Sequence, residues 1–367
     1  MATDFSNRLG RVNARRNSAG SHVLNERGFS EDSTPFDSVA EGYQSKTRSK
    51  NLQYALVSMQ EVDAKYTDIS YREAERVAKQ IDAGLRKDGT EVTVALQGSL
   101  PLNVHLRRVS DVDMLVWPEH FFIFDPAGVA AHSYTRSESN AVTEISNLRS
   151  TSNKVLRAAF PAARVDDSGS KCITMSEGSL LRQVDVVPSV LYKTANYQRT
   201  NSDDDRGVQI YDRKKSELIS NYPFTVRALI NAKDVRTGGG CKKAIRLLKN
   251  MKEDADSNIA LSSFDIMSLV YAMQDSQLVH QFYNEGRLVS SLQAWFYSLA
   301  NDEKLLQTIN VVDGSRKIVQ TIEGVSAVKQ MGEELTMLLL HIAHELQPDI
   351  AVSFDAWRTK VENEFIF

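Results

Sequence analysis

The stretch LQGSLPLNVHLRRVSDVDMLVW, residues 96–117, decides how the chain is read. Just ahead of it EVTVALQ is short and rich in β-branched residues, and its far end, DVDMLVW, alternates carboxylates with apolar side chains. Both patterns predict strands. Gly98-Ser99 reads as a tight turn after the first strand, a short helix is expected up to Ser110, and the second strand then carries Asp111 and Asp113. Standing two residues apart on a strand, these carboxylates project from one face and repel each other unless a cation lies between them. About 70 residues later RQVDVVPSV (182–190) places Asp185 between Val184 and Val186 in another expected strand. Asp185 supplies a third carboxylate to that cation if the two strands are neighbours. Three hard oxygen donors suit Mg²⁺, with Mn²⁺ as a substitute. A turn from strand to helix at Gly98-Ser99 offers backbone N–H groups and a helix dipole to a phosphate. Grips for a metal and for a phosphate together point to a nucleotide substrate.

The rest of the composition is compatible with this reading. A chain of 367 residues predicts two domains or one large one, and 42% hydrophobic with 25% charged residues is a globular composition. With 44 Lys and Arg against 47 Asp and Glu, the net charge of -3 lacks the basic excess of proteins that grip a duplex by its phosphates. A stable complex with long nucleic acid is therefore disfavoured. Cys172 and Cys241 are too few for a disulfide framework and lack zinc-site spacing. No apolar run of about 18 residues and no secretory h-region occur, so no membrane association and a cytoplasmic location are expected.

Residues 1–50 are rich in Ser, Asn, Arg and Glu and lack sustained periodicity, which predicts a flexible or partly ordered extension. Ser70 and Glu73 have the spacing of a capping box, so a long helix is expected to open there and to end near Asp88-Gly89. HFFIFD is a further apolar run, EISNLRSTSNKVLRAAF a helix, and AARVDD, KCITMS and LLRQVDVVPSV are short strands between Gly and Ser turns. From about Pro223 the pattern changes to amphipathic helices. The expected class is α+β, with a mixed-sheet domain over 51–215 followed by an α-helical domain over 216–367.

Gly-Ser, eleven intervening residues, D-x-D on an apolar strand and a distant apolar-flanked Asp resemble the nucleotidyltransferase signature of the DNA polymerase beta superfamily. Over roughly residues 60–290, including GVQIYDRKKSELISNYPFTVRALINAKDVRTGGGCKKAIRLLKNMK and SSFDIMSLVYAM, the chain is similar to bacterial relatives of cyclic GMP-AMP synthase and oligoadenylate synthase. These are the cyclic-oligonucleotide synthases of anti-phage signalling. The resemblance implies a polymerase-beta-like core and a helical domain with the active site in the cleft between them, two Mg²⁺ held by Asp111, Asp113 and Asp185, and ATP and other nucleoside triphosphates as substrates. Gln97, Gly98 and Ser99 would hold donor phosphates. By position Lys249 and Ser263 would reach the triphosphate and Phe264 would stack on a base. A downstream effector would bind the product rather than this chain. Many relatives carry Gly-Thr where this chain has Asn103-Val104, which removes a flexible residue and a hydroxyl from the turn. The chain ends in EFIF without a terminal Gly, so conjugation of the C-terminus is not expected.

Other motifs have plainer readings. His341 and His344 share a helix face out of zincin order and read as structural, TGGGCKK lacks P-loop spacing, Asp203–Asp205 read as a solvated loop, and Trp295 and Phe296 as core. Arg107 and Arg108 read equally as contacts to an incoming triphosphate or as exposed arginines. Transfer to RNA or protein, and an inactive scaffold of the same fold, remain open as alternative functions.

Overall fold

The computed structural model describes residues 5–17 and 46–366. In chain order they form α1 (Phe5–Asn17), α2 (Lys50–Met59), α3 (Ala64–Lys87), β1 (Val92–Gln97), β2 (Val112–Pro118), β3 (Phe122–Phe124), α4 (Ala141–Ala159), β4 (Arg164–Asp166), β5 (Ile173–Ser176), β6 (Val184–Lys193), α5 (Ala195–Thr200), β7 (Gly207–Asp212) and β8 (Glu217–Asn221). The remainder is helical: α6 (Pro223–Arg236), α7 (Gly240–Asp254), α8 (Ser263–Tyr271), α9 (Asp275–Leu278), α10 (Arg287–Asn301), α11 (Glu303–Thr308), α12 (Ile322–Leu346) and α13 (Phe354–Glu362). Two compact units result. One is Asp63–Leu229; the other joins the N-terminal segment through Val62 to Ile230–Phe367. This division differs from the expected 51–215 and 216–367. α2 buries Leu52, Tyr54, Leu56 and Met59 and packs with helices of the second unit, whereas β8 pairs with β7 in the first.

The first unit is built on an eight-stranded mixed sheet. Its path runs β1-β2-β6-β5-β4, with β3 and the β7-β8 hairpin attached to the far half of β6. β6 is parallel to β2 and antiparallel to β5 and β7. A proline inside so central a strand needs an explanation, because it cannot donate to a ladder. Pro188 sits just past the last β5 pairing, at Val186, and just before the first β7 pairing, at Ser189, so neither of those ladders requires its N–H, while it stays in register with Val116 of β2. The Ser189 hydroxyl donates to Val116 O at 3.1 Å and ties β6 to β2 at that junction. Alternation then sorts the faces. Val112, Met114, Val116, Val184 and Val186 pack with Ala74, Val77, Ile81 and Leu85 of α3 and with Leu148 and Leu156 of α4. Leu115, Trp117 and Val187 face the other way, onto Val208, Ile210 and Phe224.

Two local expectations are corrected. α3 begins at Ala64, not near Ser70: the Asp63 side chain accepts from Tyr66 N, and the Ser70 hydroxyl donates to Tyr66 O at 3.1 Å inside the helix. A cap about two turns upstream therefore overrides the local capping-box pattern. No helix forms between Gly98 and Ser110. Asn103 and Arg108 adopt positive φ values of 55° and 65°, which break any helical run, and the segment closes as turns through Asn103 N–H to Leu100 O and Val104 N–H to Ser99 O.

In the second unit α10 and α12 pack together with Leu292, Phe296, Leu335 and Leu339 fully buried. The N-terminal segment contributes a helix, α1, that packs on α2 and α7. Arg8, fully buried, donates to both Glu334 oxygens at 2.5 and 3.1 Å, and Arg15 grips Asp254 at 2.6 and 2.8 Å while also reaching Asn250. Phe5 packs against Tyr54 and edge-on to His341. Residues 18–45 of the expected extension lie outside the described residues. Among the described residues, no helix is long and apolar enough to cross a membrane.

Asp254 is fully buried, and its ionic partner is Arg15. Arg15→Ala should thus strand a buried charge and lower unfolding free energy by about 3 kcal/mol in denaturant titrations. Arg72→Ala, which removes the exposed pair with Asp68, should shift it by less than about 0.5 kcal/mol.

Candidate active site

The register of three strands assembles the site. Gln97 of β1 is the partner of Asp113 in β2, Asp113 of Asp185 in β6, and Asp185 of Thr174 in β5. Residues directly opposite in a sheet share a face, so these four side chains form one row, on the face away from α3 and α4. The row lies where the parallel strands β2 and β6 begin, beside the turn that leaves β1.

Gly98 is fitted to that row. Its φ is +76°, and a Cβ at this position would fall on Asp113 Oδ2. Only glycine allows the backbone to run this close to the carboxylate. Five residues on, Asn103 has a φ of 55°, the left-handed conformation that Asn tolerates better than other L-residues. Asn at this position thus suits the turn. Next to the row, Asn221 of β8 donates to Gln97 Oε1 at 3.0 Å, which orients the amide and leaves its N–H₂ as the donor end. Nothing in the local sequence around Asn221 signals this role.

The electrostatics are those of acids held close together. Loss of water and then the charge of Asp185 raise the Asp111 carboxyl above its ordinary value. Asp185 Oδ1 is buried and, among the described residues, has no hydrogen-bond partner. Cys172 is beside Asp185, and burial, followed by that carboxylate, raises its thiol. Arg149, buried on α4, fixes the loop bearing Cys172 by donating to Asp167 Oδ1 at 2.6 Å, Gly169 O at 2.8 Å and Cys172 O at 2.6 Å. Three carboxylates with an orphaned oxygen fit a hard divalent cation in donor chemistry. Among the described residues no three acidic, His or Cys side chains already converge on one ion, so ligation requires the carboxylates to rotate toward it.

The structure thus brings Gln97, Gly98, Asp113 and Asp185 together, with Asp111 close enough to feel Asp185, and Ser99 in the adjoining turn. The turn does not lead into a helix, so it offers loop N–H groups and the Ser99 hydroxyl but no helix dipole. Lys249, Ser263 and Phe264 belong to the helical unit. Lys249 is buried on α7, which packs on α8; Ser263 is the exposed first residue of α8, and the capping box is formed by Ser262 with Asp265. Phe264 lies under the Arg316 guanidinium, 5.9 Å from the ring centre. TGGGCKK enters α7 as a loop, with Gly239 left-handed and Gly240 against Leu278 O.

A mixed sheet with a glycine-backed carboxylate row, followed by helices, defines a nucleotidyltransferase. The family model for the cGAS/DncV-like nucleotidyltransferase C-terminal helical domain matches residues 228–338. The chain is 34% identical over 298 residues to a cyclic dinucleotide synthase CdnE of Yersinia aleksiciae, covering 80% of this chain and 77% of the relative. It is 27% identical over 331 residues to a c-di-GMP synthase of a Lachnospiraceae bacterium, strain RUG226, covering 84% and 90%. The solved structure of a STING-associated CdnE c-di-GMP synthase from Flavobacteriaceae sp. superposes with a TM-score of 0.74 at 21% identity, over 94% of this chain and 100% of that one. One from Capnocytophaga granulosa gives 0.70 at 24%, over 92% and 97%. This chain belongs to the cGAS/DncV-like nucleotidyltransferases.

Because a Cβ at residue 98 displaces Asp113, Gly98→Ala should lower turnover by about a hundredfold, the scale of an ångström-sized misplacement. Asn103→Gly should retain activity, while Asn103→Val, which resists positive φ, should lose stability in thermal melts.

Proposed function

We propose that the chain joins two nucleoside triphosphates into a cyclic dinucleotide, working as a metal-dependent nucleotidyltransferase. The observation that carries the reading is the in-register pair Asp113–Asp185 with Gly98 packed beneath Asp113. Relatives named as cyclic dinucleotide and c-di-GMP synthases support a purine-containing ring. Nucleotide-bound structures of further relatives, one with Apcpp and Upnpp and one with GTP and Apcpp, support triphosphate substrates. In the cell the product would act as a second messenger on a separate effector, in an anti-phage response.

Asp111, Asp113 and Asp185 would hold the Mg²⁺ ions. When bound, these supply charge to phosphate oxygens and lower the pKa of a nearby hydroxyl. Gly98 and Ser99 position the donor phosphates, and Gln97, oriented by Asn221, would donate its amide N–H to the donor. Asp185, with its unshared oxygen, orients the ribose hydroxyl of the acceptor toward the α-phosphorus. The ribose oxygen forms the new P–O bond, the bond to pyrophosphate breaks, and the hydroxyl proton passes to solvent. A second transfer between the ends of the linear product closes the ring.

The test is mass spectrometry of phosphatase-treated reactions with the four ribonucleoside triphosphates and Mg²⁺ or Mn²⁺. A phosphatase-resistant cyclic dinucleotide is expected, and its absence with every divalent metal would sink the proposal. Asp113→Asn and Asp185→Asn should each reduce it roughly a hundred- to a thousandfold. The stability effect should run the other way. A folded-state pKa raised at Asp111 means stability that is present at acid pH and lost as pH rises through that value, so at neutral pH the charge pair opposes folding. Asp185→Asn removes the repulsion, and its thermal midpoint in metal-free buffer at neutral pH should exceed that of the wild type.

A further inference from the structure

Three arginines converge on one tyrosine at the sheet edge from which β2 and β6 start. Tyr66 lies in the first turn of α3. The Arg182 guanidinium sits 3.8 Å from its ring centre and that of Arg107 4.9 Å, while its hydroxyl accepts from the Arg108 backbone N–H at 2.9 Å. The groups feel one another's charge. Desolvation comes first, and repulsion from neighbouring arginines adds to it, in holding Arg107 and Arg182 below the ordinary guanidinium range. Arg182 spends Nη1 on Leu181 O, and its buried Nε has no hydrogen-bond partner among the described residues. Among the described residues, the acids whose charges reach Arg107 and Arg182 are Asp63, the cap of α3, and Glu73, paired with Arg76.

Arg108 adds a backbone observation. At φ +65° it occupies a conformation that glycine adopts without strain, so the position keeps an arginine side chain at a conformational cost. The spacing is also suggestive: Arg108 precedes Asp111 by three residues and Arg182 precedes Asp185 by three. Both arginines are tied by a short tether to a carboxylate of the row.

We propose that Arg107, Arg108 and Arg182, gathered round Tyr66, form an anion site that binds the polyphosphate of a nucleotide, separate from the carboxylate row. This rests on the nucleotidyl-transfer reading for its biological ligand, but not for binding itself. Planar guanidinium groups present paired N–H donors that match phosphate oxygens, and stacking on Tyr66 pre-sets the orientation of two of them. The bound species is either the triphosphate of a substrate or the pyrophosphate released by transfer, which share this chemistry.

The experiment uses the full chain and inorganic tripolyphosphate in metal-free buffer, measured by isothermal titration calorimetry. Arg108→Gly removes the guanidinium while relieving the positive φ, so its unfolding midpoint should hold or rise while tripolyphosphate affinity falls about tenfold or more. Arg182→Lys, which keeps charge but not the stacked fork, should also weaken binding. Asp113→Asn should bind tripolyphosphate at least as tightly as the wild type, so loss of catalysis and loss of this site are read separately. In steady-state assays, a raised KM with kcat retained assigns the site to substrate triphosphate, and weakened pyrophosphate inhibition with KM unchanged assigns it to released pyrophosphate. Equal tripolyphosphate affinity in wild type, Arg108→Gly and Arg182→Lys would overturn the proposal.

Discussion

Asp113 and Asp185 are opposite one another on adjacent parallel strands. Side chains so placed are about 5 Å apart, and two full charges at that distance repel by about 3 kcal/mol at an effective dielectric near 20. Much of the first unit is arranged round this unfavourable contact. The opposite face of the same strands is sealed by aliphatic residues of α3 and α4, which fixes the register, because a slip of one residue would drive Val184 and Val112 into solvent and both acids into the core. Pro188 lies where β6 exchanges β5 for β7, so the strand that carries Asp185 stays continuous through the change of partner. Gly98 lets the β1 turn approach the acids without a side chain. Folding thus holds two acids together that would separate if free, and a cation bound there would relieve the contact. Anything that binds only this folded arrangement also stabilises it.

What was legible in the sequence follows from interaction range. D-x-D and an apolar-flanked Asp report period-two alternation, which is local, and alternation alone puts Asp113 and Asp185 on definable faces. Their pairing needed one further assumption, that the strands are neighbours. The start of α3 was misplaced because Ser70 and Glu73 satisfy a local pattern whose competitor, Asp63, acts from beyond it. The helix expected after Ser99 failed for a backbone reason: Asn103 and Arg108 are left-handed, and an arginine at such a position carries no warning in its own identity. Asn221 was invisible because the Gln97 it orients is more than 120 residues away.

α1 shows the same limit more sharply. Its composition, with four arginines in thirteen residues, reads as polar tail, and only Phe5, Leu9 and Val12 signal an apolar face. The same face also buries Arg8, with Arg15 partly buried beside it, and their partners Glu334 and Asp254 lie hundreds of residues downstream. A three-residue apolar stripe does not reveal the ion pairs that the tertiary fold adds to it.

At these places the two units therefore handle buried charge in opposite ways, although the sheet unit also pairs buried Arg149 with Asp167. In the helical unit, Arg15 with Asp254 and Arg8 with Glu334 bring each charge its complement, and well-packed apolar groups could in principle replace such pairs without loss of stability. The sheet unit keeps acids beside acids, with a neutral amide at Gln97 and a thiol at Cys172 as neighbours. No apolar replacement preserves the property that matters there, which is a local negative potential with an unshared oxygen. Placed at the start of strands rather than in the sheet's centre, that potential leaves the apolar face beneath packed against α3 and α4. The sheet can then carry an electrostatically unfavourable cluster because its stability comes from the other face.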